Sequence, residues 1–66
     1  MSKLRELRKK RGLSISKTSQ QSSVNASALS WIELGKVVAS PVTRASLAKF
    51  YGEKEDILFY PSGIAK

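Results

Sequence analysis

The sequence predicts an all-α fold: a compact bundle of about five short helices containing a helix-turn-helix. Three observations carry that prediction. Apolar residues recur at spacings of three and four, as Ala28, Leu29 and Ile32 do. Helix starts and stops are punctuated in the expected order, with Ser40-Pro41 opening one helix and Gly52 closing it. Residues 12–36, GLSISKTSQQSSVNASALSWIELGK, then read as two short helices joined by a tight polar turn.

Each element follows from its own residues. Helix 1 is expected over about residues 3–11, with Leu4 and Leu7 inward and basic residues around the rest. Beyond the breaker Gly12, the Ser14 hydroxyl can accept an orphan amide of a first helical turn, so helix 2 is expected over about 14–21. Ser22, Ser23 and Asn25 form the joint, and helix 3 is expected over about 25–34. At about 100° per residue, Ala28, Leu29 and Ile32 cluster on one side. Ala26, Ser27, Ser30, Trp31 and Leu34 lie roughly opposite. Gly35 supplies the stop. Helix 4 should span about 41–51. A short fifth helix over about 53–59 should return Ile57, Leu58 and Phe59 to the core, its acids favoured by the helix dipole. The domain thus covers residues 1–59. Residues 60–66 form a short C-terminal tail, either a frayed end or a dimer-facing strand. No repeat, low-complexity tract or interdomain linker is visible.

Composition sets the bounds. Sixty-six residues allow one small domain, which buries only about 60% of its unfolded surface and so leans readily on a partner subunit. There is no cysteine and no histidine, which excludes disulfide staples and removes the usual zinc-finger ligands. No metal and no cofactor are expected. Catalysis is poorly supported, because the common base and nucleophile side chains are missing and no serine has an evident partner base. No apolar run approaches the ~20 residues that span a bilayer, and the N-terminus is too charged for a secretory signal. A cytoplasmic protein is the expectation.

The net charge is +7 and uneven. Lys3, Arg5, Arg8, Lys9, Lys10, Arg11 and Lys17 oppose Glu6 alone in the first stretch, while Glu53, Glu55 and Asp56 gather near the other end. A basic face beside a helix-turn-helix points to double-stranded DNA as the partner. Phosphate candidates are Ser14 and Ser16 at the start of helix 2, where a helix N-terminus favours anions, together with Lys17, Asn25 and Lys36. Arg11 and Arg44 are further candidates.

Six blocks then fall in register: Leu4-Arg5-Glu6-Leu7-Arg8, Gly12-Leu13-Ser14, Val24-Asn25, Leu29-Ser30-Trp31-Ile32-Glu33-Leu34-Gly35-Lys36, Leu47-Ala48-Lys49-Phe50-Tyr51-Gly52 and Asp56-Ile57-Leu58-Phe59. With them, the chain resembles the Cro/C1-type (XRE-like) helix-turn-helix family of phage and bacterial transcriptional regulators, without a gap from about residue 3 to residue 59. The resemblance implies a lambda-repressor-like DNA-binding fold that acts on operator DNA, usually as a homodimer. It also implies that Ala26, Ser27, Ser30 and Trp31 occupy the positions that read base edges. Arg8 and Glu33 match an arginine and a glutamate that pair in the family; the alternative is two independent surface charges.

The departures from the pattern are informative. Ile15 stands where the family has glutamine, Thr18-Ser19 replaces a Leu-Ala core pair, and Ser22 replaces an apolar residue. These polar substitutions are expected to thin the core. Three fates are open to Trp31: folding over the hydrophobic rim, packing on sugar or a thymine methyl, or anchoring a protein. A rival function follows from the last, an antirepressor or modulator that binds a partner repressor through Ile15, Ala26, Trp31 and Leu34.

Overall fold

The computed structural model describes residues 2–66. Its helices are α1 (Lys3–Lys10), α2 (Ile15–Ser22), α3 (Ala26–Glu33), α4 (Pro41–Tyr51) and α5 (Glu55–Leu58). The architecture is all-α, with one isolated antiparallel bridge between Phe59 and Ala65 among the described residues.

Side-chain caps begin four of the five helices. Ser2 Oγ accepts from the Arg5 amide at 3.2 Å, and Ser14 Oγ from Lys17 at 3.0 Å. Asn25 Oδ1 accepts from Ala28 at 3.1 Å, and Ser40 Oγ from Thr43 at 3.2 Å. Each such cap stabilises its helix by about 1 kcal/mol. α5 starts at Lys54 without a side-chain cap, and it is shorter than the expected 53–59. Glu55 and Asp56 sit in its first turn, and Arg44 Nε lies 3.6 Å from Glu55 Oε1.

Leu4, Leu29, Leu47 and Leu58 are fully buried, so α1, α3, α4 and α5 each send one leucine to the centre. Val24, Ile32, Ala39, Tyr51, Phe59 and Ala65 complete the core, and Leu7 packs against it half-buried. Ile57 departs from expectation. It is exposed, because so short a helix turns Leu58 and Phe59 inward and leaves Ile57 outside. Thr18 and Ser22 are buried despite their hydroxyls. Ser22 Oγ donates to Thr18 O at 2.6 Å, so the serine fills an inward position without an orphaned donor.

The turn between α2 and α3 carries a strain. Ser23 holds a left-handed backbone with φ 65°, an unfavourable conformation for a residue with a Cβ. Ser23→Gly is therefore expected to stabilise the protein by about 1 kcal/mol. In a domain of this size a thermal melt should register that as a rise of roughly 4–8 °C.

The tail does not fray. Tyr60 N donates to Ile64 O at 2.8 Å, Lys66 N to Leu58 O at 2.9 Å, Ala39 N to Gly63 O at 2.9 Å and Lys3 N to Lys66 O at 2.6 Å. Its backbone groups are thus spent on the chain's own α1, α5 and the loop ahead of α4, and Ala65 joins the core.

Candidate nucleic-acid interface

α2 and α3 form the helix-turn-helix, with Val24 buried at the turn and Leu29 and Ile32 facing the core. The opposite side of α3 is open. Ser27, Trp31 and Leu34 are exposed, and Ala26 and Ser30 are half-buried. Positions 27, 31 and 34 follow an i, i+4, i+7 spacing and so form one stripe. Trp31 is 50% exposed and Leu34 55%. Half of the Trp31 surface is therefore covered and half is open to solvent. Ile15, by contrast, does pack against that core and is half-buried. It thus stands apart from Trp31 and Leu34, with which the sequence groups it as a candidate for a protein-binding face.

Arg8 and Glu33 do pair, and the pair is buried. Arg8 Nε donates to Glu33 Oε2 at 2.9 Å and Nη2 donates to Oε1 at 3.1 Å, a two-pronged fork. Nη1 donates to Leu13 O at 2.9 Å. One guanidinium thus joins α1, the loop ahead of α2 and the C-terminal end of α3. The side chains are only 10% and 3% exposed, which sets the pair apart from surface ion pairs. The hydrogen bond that Arg8 donates to Glu33 raises the Arg8 pKa above its ordinary value, against the opposing effect of burial.

The candidate phosphate ligands divide into two groups. Arg11 is engaged within the fold. Its Nη1 and Nη2 donate to Phe50 O and Tyr51 O, both at 3.1 Å, and its guanidinium lies 5.4 Å and 5.0 Å from the Phe50 and Tyr51 ring centroids. It satisfies the open carbonyls at the C-terminal end of α4, where a cation is electrostatically favoured. Arg44 is likewise engaged, by Ala39 O and Glu55. Ser14 and Asn25 serve as caps, with the Ser14 hydroxyl proton still able to donate outward. Ser16, Lys17 and Lys36 are exposed. Neither lysine forms an ion pair among the described residues. The Lys36 amide donates to Trp31 O at 3.0 Å, which fixes this lysine to the end of α3.

The charge pattern of the unit is simple. Between residues 12 and 36 the charged side chains are Lys17, Glu33 and Lys36. Since Glu33 is buried against Arg8, the helix-turn-helix presents only positive charge to solvent.

Beneath it lies a feature that sequence reasoning missed. The Tyr51 and Thr18 hydroxyls are buried and neither finds a partner of good hydrogen-bond geometry among the described residues. Burial raises the Tyr51 pKa above 10, and the Glu33 charge adds to the rise; Thr18, Arg8 and Arg11 oppose it. A folded-state pKa above the unfolded value means stability is intact below about pH 10 and falls as pH climbs through the folded pKa. Tyr51→Phe should therefore preserve stability at pH 7 and remove part of this alkaline loss. Urea titrations of both proteins from pH 8 to 11 would show the wild type falling relative to the variant. Parallel curves would sever the link to Tyr51.

Two helices joined by a tight turn, the second with an exposed outer stripe, in a unit whose solvent-facing charges are Lys17 and Lys36, have the form of a helix-turn-helix domain of the DNA-binding kind. A family model described as a helix-turn-helix domain matches residues 2–57, and the chain belongs to that family. No curated protein and no solved structure gives a significant match to it. No helix of the described residues is long and apolar enough to cross a membrane.

Proposed function

We propose that the chain is a Cro-type transcriptional regulator, of phage or mobile-element type, that binds operator DNA in the cytoplasm as a homodimer with α3 in the major groove. The observation that carries this reading is the exposed outer stripe of α3 with Lys36 anchored at its end and Lys17 exposed on α2, the unit's one acid being buried. The homodimer is carried over from the resemblance, and the dimensions are compatible with it. The molecule measures 27 × 21 × 21 Å, whereas successive major-groove half-sites lie ~34 Å apart, so one copy is too short to fill both. Ser14, Ser16 and the amides at the start of α2 complete the phosphate-facing set. Base-edge readout falls to Ala26, Ser27, Ser30 and Trp31.

The test is binding to a labelled duplex from the DNA flanking the gene, over a salt series, with random DNA as competitor and sedimentation to count the copies bound. Affinity that survives competitor and falls along a steep log–log salt slope is the expected result. Replacing Lys17 and Lys36 with alanine should reduce that slope by about 2, one for each phosphate no longer neutralised. An unchanged slope would remove these lysines from the interface. Weak binding that competitor abolishes would favour a second reading, a modulator docking on a partner repressor. The half-exposed Trp31 beside Leu34 supports that reading.

A further inference from the structure

The chemistry missing from α3 is as informative as what is present. Base edges are ordinarily read by arginine or lysine on guanine, asparagine or glutamine on adenine, and carboxylates on cytosine. The outer side of α3 has none of these. Asn25 is committed to the Ala28 amide and Glu33 is buried against Arg8. Ser27 and Ser30 each bring a hydroxyl, which accepts or donates to any base. The remaining matter on the stripe is apolar: Trp31 and Leu34, each about half exposed.

In the major groove the base pairs offer one apolar group, the C5-methyl of thymine, which lies beside the O4 acceptor. An indole matches that pair of features, with a broad apolar body and a single N–H donor. The Trp31 indole nitrogen has no hydrogen-bond partner within the chain among the described residues, and the Lys36 amide bonds the Trp31 carbonyl. A phosphate held by Lys36 would therefore fix the position of the turn that carries Trp31. With Lys36 exposed at the end of the stripe, Lys17 exposed on α2 and the unit's one acid buried against Arg8, a polyanion is the fitting occupant of this apolar stripe.

We propose that α3 selects operators by the C5-methyl groups of thymines, with Trp31 as the residue that senses them. This deepens the regulator reading above and rests on it.

The experiment uses the full chain and a library of random 20-base-pair duplexes. The most enriched duplex is then prepared in two forms, one with thymine and one with deoxyuridine, which lacks only the methyl group. Both are titrated against wild type, Trp31→Ala and Trp31→Phe, each checked for an unchanged thermal melt. The expected result is enrichment of thymine at fixed positions. For wild type, affinity should drop about fourfold per contacted thymine replaced, the effect of one buried methyl. In Trp31→Ala the thymine–uracil difference should collapse towards onefold, and Trp31→Phe, which keeps an apolar ring, should retain part of it. Enriched sites bound equally in both forms would overturn the inference while leaving the regulator intact. So would a methyl preference that persists undiminished in Trp31→Ala. If no duplex is enriched over competitor, the regulator reading itself falls, and the inference with it.

Discussion

Glu33→Ala is expected to lower the unfolding free energy by about 3–5 kcal/mol, the usual loss when one member of a buried pair is removed. For a chain of this length total stability is on the order of 3–10 kcal/mol, so the variant should be partly unfolded at room temperature. The reason is the partner left behind. Arg8 is held by two bonds to Glu33 and one to Leu13 O. Without the carboxylate its charge stays buried with little to balance it. Urea denaturation followed by circular dichroism would measure the loss. Arg8→Met combined with Glu33→Leu should recover much of it, since an apolar pair of similar volume has no charge to strand. A loss below about 1 kcal/mol for Glu33→Ala would mean that the pair behaves as a surface one.

Gly63→Ala should be nearly as damaging, at about 2–4 kcal/mol, for two combined reasons. The backbone there has φ +95°, which L side chains rarely adopt. A Cβ would also lie 2.6 Å from Arg44 Nη1, 2.7 Å from Val38 Cγ1 and 3.0 Å from Ala39 O. Those atoms belong to the clamp in which Ala39 N donates to Gly63 O and Arg44 donates to Ala39 O. The melting temperature should fall by about 10 °C or more. Gly12→Ala is the matched control, since φ is +68° there and no neighbour lies within 4 Å of a Cβ. The excess loss at position 63 measures the collision together with the added strain of its larger φ. Equal losses at the two positions would show that the clamp yields freely.

The contrast between these sites shows what the sequence discloses and what it withholds. Caps are local, decided by a hydroxyl or amide three residues ahead of the amide it meets. Ser14, Asn25 and Ser40 accordingly fall where their neighbours predict. Boundaries of α1 to α4 lie within a residue of expectation for the same reason. Arg11 is different: the carbonyls it meets lie 39 and 40 residues away, and nothing in its own neighbourhood marks it as anything but a solvated cation. The tail is ambiguous in sequence for a similar reason, because its partners at Lys3 and Ala39 are remote along the chain. At the site, resemblance matches Arg8 with Glu33, but burial decides its energetic weight and only the packed fold supplies that. Ile15 packs against the core although the sequence makes it a candidate for a protein-binding face, because its covering comes from the packed fold and not from its own neighbours in sequence.

The bond from Lys3 to Lys66 has a topological consequence. With residues 3 and 66 side by side, the contour of the chain is a closed circuit. A short peptide linking them, with a new opening in the exposed stretch 36–38, would give a circular permutant that runs from α4 through α5 and α1 to α2 and ends on α3. The core packing would survive that rewiring. The recognition helix would become the terminus, a position from which successive peptides can be appended directly beside the groove it is proposed to enter.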